Sequence, residues 1–204
     1  IQGKPVLLHI LENLVIAFGS VDVKLGTSYK ADQVKEFVDR NTPRKVAVEY
    51  IYHDLKNDTY DAYLEMEPYV KGYFLATHGD VIVNPCVYQN VQRLQDKDYA
   101  IGTLAFSPKV DEVESHGLGK IDEYKVIDFI HPPESIIPDG YLRDMGIFAA
   151  GKGFFDVLKR YPQIYGSKSQ VFKHAIADNL PFLGSIQDSI WIHVGRPKDL
   201  EKSL

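Results

Sequence analysis

Tyr73-Phe74-Leu75-Ala76-Thr77-His78-Gly79-Asp80 carries the main fold signal of this chain. Residues 73–77 form a nearly continuous apolar run, which predicts a strand buried on both faces. The run stops at His78-Gly79-Asp80, a glycine and a carboxylate that end a strand in a turn. On the N-terminal side, residues 60–67 have helical spacing and stop before Pro68. Before them, residues 45–51 read as a strand, 31–38 as a helix with Val34, Phe37 and Val38 on one face, and 21–25 as a strand ending at Gly26. Residues 6–17 follow Pro5 with helical spacing, which suits proline in a first turn. Strand and helix alternate with short connections, and that pattern predicts a mostly parallel sheet flanked by helices. Ligands of such sheets bind beyond the carboxyl ends of the strands, which is where Gly79 and Asp80 fall.

The second half reads differently. Residues 99–106 predict a strand, and 114–121 with 125–130 predict a hairpin around Asp122-Glu123. Residues 144–149 and 189–194 are strand-like, while 153–160, 170–177 and 197–202 are helical. An α/β core that gains antiparallel strands accounts for this order.

The 204 residues contain no linker, repeat or low-complexity tract, so one domain over 1–204 is expected. A formal net charge of −5 argues against a nucleic-acid binder. The longest apolar runs are too short to span a bilayer. Cys86 is the single cysteine, which excludes an intrachain disulfide and a multi-cysteine zinc site and points to a reducing, cytoplasmic setting. Its default is burial. The 13 tyrosines and 10 phenylalanines lack interleaved Lys and Arg, so they read as core. The opening Ile1-Gln2-Gly3-Lys4-Pro5 has no initiator methionine, from which an upstream segment is expected.

Several short segments, in order, resemble the sugar-phosphate nucleotidyltransferases, also called nucleoside-diphosphate-sugar pyrophosphorylases, including their glucose-1-phosphate thymidylyltransferase and mannose-1-phosphate guanylyltransferase members. Gly3-Lys4-Pro5-Val6-Leu7 is similar to the family's helix start, and Leu25-Gly26-Thr27 with Lys30-Ala31-Asp32-Gln33-Val34 to the strand, loop and helix that follow. Asp58-Thr59-Tyr60-Asp61-Ala62 falls where the family has a Gly-Thr-Ala-like segment near the nucleotide base. Residues 75–80, 117–129, Gly146-Ile147-Phe148 and 191–200 match the later landmarks. The resemblance implies a Rossmann-like three-layer α/β/α fold with a mostly parallel central sheet and added antiparallel strands, lacking the family's N-terminal glycine-rich loop. It also implies Mg2+-dependent attack of a sugar-1-phosphate on the α-phosphorus of a nucleoside triphosphate, giving a nucleotide sugar and pyrophosphate. Nucleic acid and membrane are not expected partners; a homo-oligomer is compatible with the fold class.

The resemblance places a metal-holding, catalytic carboxylate at Asp80 and a second metal position at His193, where the family has aspartate. Imidazole suits softer divalent metals better than Mg2+, so a softer ion enters the reading; a histidine hydrogen-bonded at a strand end is the other. Asp58, Thr59 and Gly79 are the nucleotide-side candidates, with a helix N-cap as the alternative for Thr59. Gly117, His131 and Asp144 are the substrate-side candidates. The family's Glu-Lys-Pro appears as His131-Pro132-Pro133, and its asparagine as Asp144. These changes leave two further readings open. One is a degenerate nucleotidyltransferase-like domain that binds nucleotide or sugar phosphate in a regulatory or assembly role; the other is a glycosyltransferase of related architecture. His9, His53, His78, His116 and His174 show no metal-ligand spacing, though His78 is placed to orient Asp80.

Overall fold

A computed structural model describes residues 1, 3–54, 59–96, 100–109, 116–131, 138–161 and 168–195, with the main chain alone at 168 and 169. Asp58, Pro132, Pro133 and the expected helix at 197–202 lie outside the described residues, as do the first residues of the strands expected at 99 and 114.

Pro5 precedes helix α1 (Val6–Phe18), which buries Ile10, Leu11 and Leu14 and ends at Gly19, where φ is 80°. Strand β1 (Val21–Thr27), helix α2 (Ala31–Asn41) and strand β2 (Val46–Tyr52) follow, with β1 and β2 paired in parallel from Val21↔Val46 to Thr27↔Tyr52. Helix α2 buries only Val38; its outer face carries Lys35–Asp39 and Arg40–Glu36 ion pairs one turn apart. Helix α3 (Thr59–Met66) tightens into a short 3-10 turn that carries Pro68.

Strand β3 (Phe74–Thr77) leads through the His78–Asp80 turn into strand β4 (Val81–Val83) and helix α4 (Pro85–Gln95). Asn84 caps α4 by accepting the Cys86 N–H, which leaves Cys86 half-buried, not in the core as expected. The remaining elements are β5 (Gly102–Ser107), β6 (Leu118–Asp122), β7 (Lys125–Ile130), β8 (Tyr141–Ala150), α5 (Gly153–Arg160), α6 (Lys168–Ala177), β9 (Phe182–Ile186) and β10 (Trp191–His193).

The central sheet has strand order β3-β8-β5-β9-β7-β6, with β6 also paired to the start of β8. Alternate residues of β5 and β8 face opposite ways. Leu104, Phe106, Phe148 and Ala150 pack into a core with α3, α5 and α6, whereas Ala105, Met145, Ile147 and Ala149 pack with α1, α4 and β4. Helices therefore cover both faces, giving the expected three α/β/α layers.

The central sheet is mostly antiparallel and not mostly parallel as expected: among the described residues β5·β9 is its one parallel pairing, and β1 and β2 pair outside it. Parallel pairing occurs at β1·β2 and β5·β9, while the ten-residue β8 runs antiparallel to both β3 and β5. Strand β3 lies at the edge of this sheet and is half-buried, with Phe74 and Ala76 packed against one core and Leu75 against the other, so it is covered on both faces as expected. An apolar run reports burial and not direction, so β3 reads the same either way.

Candidate functional site

The site is assembled by a three-residue pairing. Strands β4 and β10 run antiparallel with His193 opposite Val81, which sets His193 beside the residue preceding Val81. Asp80 accepts the Val194 N–H at its main-chain oxygen at 2.8 Å, and His193 Nε2 lies 3.3 Å from Asp80 Oδ2. Asp80 Oδ1 is buried and has no hydrogen-bond partner among the described residues. The hydrogen bond from His193 holds the Asp80 carboxyl below its ordinary range, against the opposing effect of burial.

His116 packs edge-on against both rings of β10: centroids are 4.6 Å from His193 and 5.2 Å from Trp191, at near-perpendicular angles. Its Nδ1 accepts from Arg143 Nη2 at 3.1 Å, and the guanidinium lies 4.4 Å from the centre of the Trp191 ring. Burial first, then the Arg143 charge, pushes the His116 pKa down to about 3. Trp191 is anchored in turn by donating from Nε1 to the Met145 carbonyl at 3.2 Å.

Arg143 and Asp144 enter because β8 bends at this point. Gly146 has φ of 75°, a conformation that favours glycine, and Asp144 Oδ1 accepts its N–H at 3.0 Å. A Cβ at Gly146 would stand 3.0 Å from His78 Nδ1, so the missing side chain is also what admits the His78 ring. Gly117 accepts the Asp144 N–H at 2.8 Å, and Leu118 pairs with both Arg143 and Ile130. Gly117, Asp144 and His131 thus gather where β6 begins and β7 ends, alongside the interior of β8 and next to His116. His131 Nδ1 is buried with no partner among the described residues.

The candidates separate into two places. Asp80 and His193 are together, and Gly117, Asp144 and His131 adjoin them through His116. Gly79 borders open space, since a Cβ there would meet nothing within 4 Å. Thr59 instead begins α3 and is exposed, while the other end of that helix, at Glu65 and Met66, meets the carboxyl ends of the parallel pair β1·β2. There His53, buried and hydrogen-bonded to Glu65 of α3, packs against Gly26, where a Cβ would meet its Nε2 at 2.5 Å. His53, His116 and Arg143 were not among the expected site residues. Isolated histidines and arginines carry no spacing signal, and only the position of His116 next to Gly117 hinted at a role.

Among the described residues no group of three or more His, Cys, Asp or Glu side chains could hold a metal ion. Asp80 and His193 supply one carboxylate and one imidazole. The unpartnered Asp80 Oδ1 fits a cation that takes its other ligands from bound phosphates.

Sequence comparison decides the family: the Nucleotidyl transferase family model matches residues 1–203. The chain belongs to the nucleotidyl transferase family. A curated relative within reach, the bifunctional protein GlmU of Methanococcus maripaludis strain C5, is 22% identical over 205 residues, covering 98% of this chain and 46% of the relative. The chain therefore spans about half the length of the curated nucleotidyl transferase relatives it matches. The fold is that of UDP-glucose pyrophosphorylase in complex with UDP-glucose, with a TM-score of 0.80 at 14% identity over 98% of this chain and 85% of that one. It is also that of the inositol-1-phosphate CTP transferase from T. maritima, with a TM-score of 0.77 at 16% identity over 94% and 78%.

Proposed function

We propose that this nucleotidyl transferase joins a nucleoside triphosphate to a sugar-1-phosphate, releasing pyrophosphate. The observation that carries the reading is Asp80: a carboxylate at a strand end, tied to β10, with one buried oxygen left without a partner. Asp80 and His193 would hold a divalent cation between them. Mg2+ satisfies the carboxylate, while the imidazole favours a softer ion such as Mn2+ or Co2+. Bound there, the cation supplies charge neutralisation for the reacting phosphates.

The chain's own residues do the positioning. Gly79 leaves open space beside the carboxylate for a phosphate, and Thr59 is assigned to the nucleotide side. His131, Gly117 and Asp144 face the sugar phosphate, Asp144 being fixed by its bond to Gly146. Small molecules, not nucleic acid, fit a net charge of −5. No helix among the described residues is long and apolar enough to cross a membrane, and cytoplasmic action is part of the proposal.

The test is pyrophosphate release over a panel of nucleoside triphosphates and sugar-1-phosphates with Mg2+, Mn2+ or Co2+. Turnover by the wild type and its loss in Asp80→Ala support the reading. Turnover unchanged in Asp80→Ala removes the site assignment, and ligand binding without pyrophosphate release across the panel removes the reaction.

A further inference from the structure

The His193 imidazole occupies a slot with two walls. One is His116, perpendicular to it at 4.6 Å between ring centres. The other is Gly195, where a Cβ would come within 2.7 Å of His193 Cε1 and 2.8 Å of Nε2. No real side chain tolerates that approach without the ring turning, so the bare Cα of Gly195 is what lets the imidazole lie as it does. The Trp191 ring lies nearly parallel to the His193 ring, at 12°, and presents the same His116 with a second face.

His116 is itself oriented. A guanidinium only donates, so His116 Nδ1 must be the acceptor of its bond with Arg143 Nη2. The neutral ring then carries its hydrogen on Nε2. Arg143 is fixed against Trp191, and Trp191 on Met145. A chain of contacts thus runs from β8 through His116 to His193 and ends at Asp80 Oδ2.

We infer that His116 and Gly195 are positioning residues for His193: together they fix its ring so that Nε2 addresses Asp80, and they set the affinity of that pair for a divalent cation. The inference rests on the proposed pairing of Asp80 with His193, and its first readout needs neither metal nor substrate. Residues that orient a metal-binding imidazole govern its tautomer and affinity in this way.

The experiment has two parts. Ring-nitrogen NMR of His193 in the metal-free protein at pH 8 is compared between wild type, His116→Ala and Gly195→Ala. The expected result is one tautomer in the metal-free wild type, with the Nε2 hydrogen donated to Asp80, and a mixture in both variants; a cation taken at Nε2 displaces that hydrogen, and the neutral ring then carries its hydrogen on Nδ1. Gly195 is exposed, so its variant keeps the test intact if His116→Ala fails to fold. Mn2+ affinity is then measured by calorimetry without nucleotide, where each variant is expected to bind about 10-fold more weakly. In a His193→Asp background, His116→Ala is expected to leave Mn2+ affinity unchanged. An unaltered tautomer in both variants overturns the inference, and so does an equal affinity loss with aspartate at 193, which would mark His116 as a packing residue only. If the wild type binds no Mn2+, the metal reading fails and the tautomer alone decides the positioning role.

Discussion

Asp80 is joined to the strand bearing His193 through two different groups: its carbonyl receives the Val194 N–H at 2.8 Å, and its carboxylate meets His193 Nε2 at 3.3 Å. The main-chain bond survives any substitution of the side chain. Asp80→Ala is therefore expected to cost about 100-fold or more in pyrophosphate release. Its unfolding midpoint should move by less than about 3 °C, because the side chain is 44% exposed and adds little packing. A large fall in the midpoint would show that Asp80 holds the fold and not the chemistry.

His116 makes the stability depend on pH. Its folded pKa is about 3, against about 6.5 for an unfolded histidine. Between those values the unfolded chain binds a proton that the folded chain refuses, so stability is full above pH 6.5 and declines as pH falls. The slope from this group is at most about 1.4 kcal/mol per pH unit. The Asp80 carboxyl, held low by His193, adds a second loss only as pH drops through its lowered folded value, below the ordinary 3.8. Urea midpoints measured from pH 7 to pH 5 should fall in the wild type and flatten in His116→Gln. Equal slopes would contradict the account.

Gly146 joins conformation to the site. Alanine there meets both an unfavourable φ of 75° and a Cβ 3.0 Å from the His78 ring. About 2 kcal/mol of destabilisation is expected. For a chain of this size that corresponds to a midpoint roughly 4–8 °C lower. A midpoint within a degree of the wild type would mean that β8 relaxes freely around the change.

Chelation separates chemistry from architecture. Both halves of the core are apolar and aromatic, so EDTA is expected to stop pyrophosphate release without shifting the thermal midpoint. Mn2+ or Co2+ should restore more turnover than Mg2+, and in His193→Asp the order should move toward Mg2+. Full activity in EDTA would exclude the cation from the reaction.

The helices and strands were legible where α1, α5 and β8 carry enough apolar residues to show their period, the three layers were implied by the family resemblance, and the span of α4 was not read at all. Asp80 was legible for the same reason: the apolar run at 73–77 announces its own end. Strand direction was not, since β3 pairs antiparallel with β8 from Phe74↔Ala150 to Thr77↔Ile147, between residues far apart in the chain. Nor was the companionship of His116, Arg143 and Trp191. Strand β4 has three residues, too few to show a period, and nothing in the strand-like run at 189–194 announces β4 as its partner, yet that pairing is what draws these side chains to Asp80. Where α3 docks was likewise not legible: Tyr60 is buried in the core and Glu65 meets His53, contacts that the motif around Thr59 does not announce.

The parallel ribbon of β1 and β2 has a consequence for how the molecule breathes. No residue of β1 is fully buried, β2 buries only Ile51 and α2 only Val38, whereas every residue of β5 is enclosed. Two strands alone have little cooperativity of their own. Amide hydrogens from Val21 to Tyr52 should therefore exchange with solvent through local openings well before those of β5 and β8, which wait for global unfolding. A ligand that grips the ends of this ribbon, at Thr27 and Tyr52, would announce itself first as slowed exchange across the whole unit, before any change in the melting of the core.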